Sequence, residues 1–377
     1  MDKVKTAIAL VLLLFINFAF SVKYISRITP YYLCFSFLIL GFYITLWSNR
    51  IPLEKLLKKF TYLNTCLIII FIFVSTMIFI KIPTETLNVD RWSVITSFWD
   101  NYFSGKYVYF AKSVDGNYPG PMPFYFFLAL PFYLIEELGY FSILGIIVFL
   151  FLLKYTSKPT HIQSFYLLLV MLSTFMLWEV VCRSNVFLNG CLVLFSLVFF
   201  FRSLENNRPN YFLWNGLFIG LMLSTRNVFI IPYIITFLFA LKQNRISLRN
   251  TFYVGIIATI IFAATFIPFV FNHFDDFKKM NPFKIQSSFL MPTAYSVVCV
   301  LFSTTTFFVL KRKNDVYFYS GLLLFMTIIV YFVYLIKENN FEETFFNSRA
   351  DISYFILCIP FLLYYVIESE SISFSKK

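Results

Sequence analysis

Apolar runs of about 17–22 residues recur along the whole chain, and each is long enough to cross a hydrocarbon core of roughly 30 Å as a helix. The stretch 64–82, NTCLIIIFIFVSTMIFIKI, is one of them. A water-soluble globule must present a polar surface, and this chain cannot supply one. Of its 377 residues 59% are hydrophobic and only 13% charged, with mean hydropathy +0.76. A transmembrane β-barrel would read as short alternating segments, and these runs do not alternate. The pattern predicts an all-α polytopic integral membrane protein.

Twelve spans are expected, at about 5–22, 31–48, 64–82, 139–154, 163–181, 186–201, 211–225, 228–242, 251–270, 291–310, 316–336 and 352–368,. The first run follows Lys3 and Lys5 like a signal peptide, yet no small-x-small cleavage site follows it, so it reads as a retained helix,. Segment 121–137, PMPFYFFLALPFYLIEE, would be a thirteenth span if it crossed. Basic residues favour the cytoplasmic side of a membrane, which decides against crossing. Without it, eighteen basic residues face six acids on the cytoplasmic side, thirteen face thirteen on the other, and the whole net charge of +12 sits on one face. If it crossed, the clusters at 242–249 and 311–313 would move outside and the bias would collapse. Segment 121–137 is therefore expected to be a juxtamembrane or re-entrant helix, in a cell-membrane protein with both termini cytoplasmic. The basic excess reports topology and calls for no nucleic-acid partner. The six cysteines show no CxxC spacing and read as membrane-core thiols, with neither a disulfide frame nor a zinc site,.

This topology brings the polar interruptions to one extracytoplasmic face. The chain reads as one domain over 1–377, with two extra N-terminal helices in 1–62 and a large first outer loop over 83–138. Asp90, with Arg91 and Trp92 after it, opens that loop, and a carboxylate beside the bilayer surface suits a general base acting on an acceptor hydroxyl,. An interface ion pair with Arg91 would explain an isolated aspartate equally well. The turn Asp115-Gly116-Asn117 and the sequence Tyr118-Pro119-Gly120-Pro121 follow, the prolines fixing where the chain re-enters the membrane,. The aromatic residues here suit both interface anchoring and stacking on sugar rings.

Two arginines interrupt apolar runs, Arg183 beside Asn185 in WEVVCRSNVFLNG and Arg226 in GLMLSTRNVFIIPY. Arginine at membrane depth is costly and usually serves an ion pair or a pathway. Arg183 has Glu179 one turn earlier as a local partner, whereas a shared anionic ligand would explain both arginines, since guanidinium forks match phosphate oxygens. Asn281 and Gln286 form a polar entry to the helix after 290, and Asp351 stands at the mouth of the last helix, where capping is the simpler role,.

Taken together, an early first-loop aspartate in NVDRWS, a Tyr-Pro-x-Pro entry into PFYFFLALPFY, the polar RSN and the hairpin GLxxGLxLSTRN resemble the GT-C superfamily of membrane glycosyltransferases. The likeness is to the bacterial polyprenyl-phosphate-sugar-dependent, mannosyltransferase-like branch and spans about residues 64–370. It implies transfer of mannose or another hexose from a polyprenyl-phosphate donor to a glycan, lipid or protein acceptor of the cell envelope. It also implies Asp90 as base, Arg183 and Arg226 as donor-phosphate ligands, and Arg91, Trp92, Asp115, Tyr118, Asn185, Asn281, Gln286 and Asp351 around sugar or acceptor. Where some members carry paired acids in the first loop, Arg91 follows Asp90 here. One carboxylate gives a divalent cation a poor set of ligands, so inversion without a metal is expected, with Asp115 the candidate second acid. A lipid-linked glycan transporter should show paired halves with matching broken helices, and none is evident. An O-antigen-type polymerase would place its large loop late in the chain.

Overall fold

The computed structural model describes the backbone of residues 2–374 apart from 61, 88, 207–209, 290, 348 and 349. Side chains are described over the same residues apart from those of 2, 286–289 and 371–374. All regular structure among the described residues is helical. The chain gathers in two compact units, one made of 1–87, 139–191 and 335–377, the other of 88–138 and 192–334.

The first unit begins with α1 (Asp2–Ile25), α2 (Tyr32–Ser48), α3 (Arg50–Leu57) and α4 (Leu63–Lys81). The chain then enters the second unit for α5 (Arg91–Phe103) and α6 (Pro123–Leu134), and returns for α7 (Gly139–Tyr155), α8 (Thr160–Met171) and α9 (Thr174–Val181). The division next falls within α10 (Val186–Glu205). The second unit continues with α11 (Tyr211–Leu223), α12 (Ile230–Lys242), α13 (Leu248–Ala264), α14 (Ile267–Val270) and α15 (Phe274–Lys279). After α16 (Pro282–Phe289) and α17 (Thr293–Thr304), α18 (Lys313–Glu338) leads back to α19 (Ile359–Phe374).

Among the described residues, six helices are long and apolar enough to cross a membrane, or up to nine if each bent pair forms one span. Their lipid-like exposure supports a membrane environment. Only 17% of the apolar window of α4 is buried in the protein, and Ile69, Ile70, Phe73 and Ile80 stand exposed, whereas 83% of the window 352–370 is buried. Twelve spans are not reached, because hydropathy measures composition and not helix length. The apolar stretch 163–181 is two helices bent by 63°. The stretch 211–225 holds only the short α11, and 291–310 holds the short α17 and a 3-10 turn over Thr305–Phe308. Segment 121–137 yields α6, whose 12 residues reach about 18 Å, short of the hydrocarbon thickness,.

The break between α8 and α9 is built from hydrogen bonds. Ser173 caps α9 by accepting from the Met176 amide at 3.3 Å. Asn17, on α1, accepts from the Thr174 amide at 3.1 Å, and the Tyr43 hydroxyl donates to the Leu172 carbonyl at 2.8 Å. Each is a backbone group that the break withdraws from the helical ladder and that lipid could not satisfy.

In the second unit, Gly216 and Gly220 let α11 lie close against α13, the small-residue spacing that brings membrane helices together,. A methyl group at Gly220 would stand 2.5 Å from the Ala258 carbonyl oxygen, and one at Gly216 would stand 2.6 Å from Ile257 Cβ. Gly255, also on α13, has nothing within 4 Å of such a methyl. Gly216→Ala and Gly220→Ala are each expected to lower the unfolding midpoint of the purified protein, with an overpacking cost of about 1–3 kcal/mol. Gly255→Ala should leave it unchanged or raise it.

Candidate functional site

Asp90 is the N-cap residue of α5, where an aspartate normally turns its carboxylate to the first free amides of the helix,. Here it makes no such bond. Oδ2 instead accepts from the Ser113 hydroxyl at 2.8 Å and from the Asn117 side-chain amide at 2.7 Å. No described residue donates to Oδ1.

The loop that holds Asp90 is itself closed. The Gly116 amide donates to the Ser113 carbonyl at 2.9 Å, the Ser113 amide to the Asn117 carbonyl at 2.9 Å, and the Asn117 amide to Ser113 Oγ at 3.1 Å. Gly116 takes φ +76°, the left-handed region a side chain would resist,. Ser93, one turn into α5, donates to the Asp90 carbonyl and accepts from the Val114 amide. Residues 90, 93, 113 and 117 thus fix one carboxylate with short polar side chains on both sides. The sequence reading missed Ser93, Ser113 and Asn117 as its supports.

The same unit ties this loop to the two other polar interruptions it contains. The Pro-rich entry lies on the hairpin tip after α11. The Met122 amide donates to the Thr225 carbonyl at 3.2 Å, and the Phe124 amide to Ser224 Oγ at 3.1 Å. The Arg226 guanidinium then stands 5.7 Å from the centre of the Tyr125 ring. Tyr107 reaches the third segment, its hydroxyl donating to the Met280 carbonyl at 2.8 Å. Burial, and next the Asp276 carboxylate, push the Tyr107 phenol up, so it serves as a neutral donor.

The other expected residues fall as follows. Arg91 and Trp92 open α5 half-buried, and the Trp92 indole N–H is shut away from solvent without an acceptor among the described residues. Asp115 is exposed at the tip of the closed turn. The slight desolvation it keeps there, and secondarily the Asp90 charge, raise its carboxyl above the usual 3.8. Tyr118 is half-buried, with the Lys112 ammonium 5.4 Å from its ring centre. Asn281 caps α16 by accepting from the Lys284 amide at 3.0 Å. The side chain of Gln286 lies outside the described residues.

Arg183, Asn185 and Asp351 belong to the first unit. Arg183 is 1% exposed and adopts φ +51° at the end of α9, a strained conformation for a residue with a side chain,. Its Nη1 donates to the Val181 carbonyl at 2.8 Å, and its Nη2 to Phe79 at 3.1 Å and Ile82 at 2.7 Å. The guanidinium thereby closes the ends of α4 and α9. Glu179, the local partner expected from sequence, is 0% exposed and accepts from the Val186 and Phe187 amides at 2.7 and 3.1 Å, capping α10. Asn185 accepts from the Asn189 side chain at 3.4 Å. Asp351 accepts from the Ser353 amide at 2.9 Å and caps the turn that follows, the simpler of its two expected roles.

Among the described residues, no three His, Cys, Asp or Glu side chains lie together as a metal-binding group.

Arg183→Ala is expected to cost about 2–4 kcal/mol, because it strands buried carbonyls, and to be read as a lower unfolding midpoint. Asp115→Asn should stabilise the loop at neutral pH and make no difference in acid. A raised carboxyl favours the fold below its unfolded value of 3.8 and loses that contribution as pH rises through the folded value,. Hydrogen exchange of residues 113–117 at both pH values checks this.

Comparison with protein-family models, with curated proteins and with solved structures finds no match for the chain.

Proposed function

We propose that the protein is a membrane glycosyltransferase that moves a hexose from a polyprenyl-phosphate donor to an envelope acceptor on the extracytoplasmic face. The observation that carries this reading is the Asp90 carboxylate, held through one oxygen by Ser113 and Asn117 in a loop bonded to the Arg226 hairpin. An aspartate at an N-cap that leaves its helix uncapped is committed elsewhere,. A fixed carboxylate with one oxygen unengaged by described residues suits a general base.

In the proposed reaction the acceptor hydroxyl gives its proton to Asp90 Oδ1 while its oxygen attacks the anomeric carbon. The bond from that carbon to the phosphate oxygen breaks, its electron pair leaves with the lipid phosphate, and the configuration inverts. Arg226, beside Tyr125, is the cation assigned to the leaving phosphate,. Arg183 is not given that role, since its guanidinium is turned to three backbone carbonyls. Trp92, Tyr118 and the exposed Asp115 flank the base as acceptor-side contacts, without a metal.

The test is sugar transfer by the purified protein, with a panel of polyprenyl-phosphate sugars and membrane glycolipid acceptors. Asp90→Asn should lower turnover by about 10²–10⁴-fold with folding intact, and EDTA should leave wild-type turnover unchanged. Asp90→Asn with full turnover would remove the base. Absence of turnover with every donor, while labelled lipid-linked glycan crosses proteoliposomes, would replace the enzyme by a transporter.

A further inference from the structure

Within the first unit, α1, α2, α8 and α19 enclose a partly open cavity of about 150 Å³. Its wall is mostly apolar and includes Leu10, Leu14, Ile44, Leu169 and Leu363. An apolar cavity of that size accepts a benzene-sized piece of hydrocarbon and rejects water. Three of its polar neighbours are already occupied with backbone. Asn17 donates to Leu13 and accepts from Thr174, Tyr43 donates to Leu172, and Ser173 donates to Val170 while capping α9. An occupant that needs no hydrogen bond, a hydrocarbon chain, fits this wall.

One end of the cavity is Trp47 and Ser48, the last turn of α2, where the chain bends by 67° into α3. Bent so far, α3 does not continue the course of α2. Its inward face is fixed by charge. Arg50 stacks 5.2 Å from the Trp47 ring centre and pairs with Glu54 at 2.9 Å and with Glu370 of α19, which also accepts from the Tyr166 hydroxyl at 2.6 Å. The outward face is different. Ile51, Leu56 and Lys55 are exposed on it, and so are Lys58 and Lys59 in the turn that follows, and none of the three lysines pairs with a described residue. Apolar and lysine side chains together on a short helix and the turn after it match the boundary between acyl chains and anionic headgroups.

We propose that α3, the turn after it and the cavity form a binding site for one anionic phospholipid of the surrounding bilayer, its phosphate against Lys55, Lys58 and Lys59 and a segment of one acyl chain in the cavity. The Arg50–Glu370 clamp sets the distance between the two parts by holding α3 to α19. This site does not depend on the transfer reaction and lies in the unit that does not contain Asp90.

The test uses the full chain in phosphatidylcholine nanodiscs containing phosphatidylglycerol with a photoreactive diazirine on its acyl chain, and crosslinks are mapped by peptide mass spectrometry. Label should concentrate on Leu10, Leu14, Ile44 and Leu363 above the level on the lipid-exposed α4 residues Ile70 and Phe73. Unlabelled phosphatidylglycerol should displace it about tenfold better than phosphatidylcholine, and the triple change Lys55→Gln, Lys58→Gln, Lys59→Gln should weaken labelling about as much. Leu14→Phe should remove the cavity label and leave that on α4. Because the lysines are exposed, their variant keeps the test valid should Leu14→Phe fail to fold. Cavity label no denser than on α4, equal displacement by phosphatidylcholine, or wild-type labelling of the lysine variant would each overturn the site.

Discussion

A backbone amide or carbonyl inside a bilayer has no water to bond, so every helix that stops or bends there must find a partner within the protein. Much of the polar inventory of this chain answers that demand. Glu179 closes the start of α10, Arg183 the ends of α4 and α9, and Asn17 with Tyr43 the break between α8 and α9. These residues look like ligands in a sequence because they are buried and polar. In space each of them bonds main chain, with Glu179 and Asn17 also accepting from the Ser184 and Thr174 hydroxyls.

Against that background Asp90 is different. Asp351 and Asn281 cap the elements they precede, whereas Asp90 sits at the same kind of position and leaves its helix uncapped. Its partners are side chains, Ser113 and Asn117, from a turn closed by its own hydrogen bonds. Such an arrangement orients a carboxylate and does nothing for the secondary structure around it. The proposed chemistry rests on that contrast, with Arg226 as the cation that the same unit contributes.

The helical class was legible because hydropathy along the chain leaves no other folded solution. The polar loop was legible too, since Asp115-Gly116-Asn117 and the proline cluster are local turn signals, and the structure closes a turn there with Gly116 at φ +76°,. What hydropathy could not show is where an apolar run breaks. Ser173-Thr174 inside the run 163–181 is a capping signal of the ordinary kind, overridden in the reading by the greasy residues around it,. The employment of Arg183 was beyond reach for another reason. Two of its acceptors, Phe79 and Ile82, lie about a hundred residues away in sequence, and only folding brings them to it. Glu179, the neighbour on the same stretch, was the natural guess as partner, and its capping of α10 was equally hidden in the sequence.

The most direct measurement is turnover per folded molecule, with unfolding midpoint recorded alongside, for the double change Ser113→Ala, Asn117→Ala and for Arg183→Gly. The double variant loosens the carboxylate. Arg183→Gly keeps the left-handed backbone and removes the clamp. The account predicts that the double variant loses turnover at a nearly unchanged midpoint, whereas Arg183→Gly loses midpoint and keeps its turnover per folded molecule. The reverse pattern, with full turnover in the double variant and an inactive but stable Arg183→Gly, would place the chemistry at Arg183 and contradict the division drawn between the two residues.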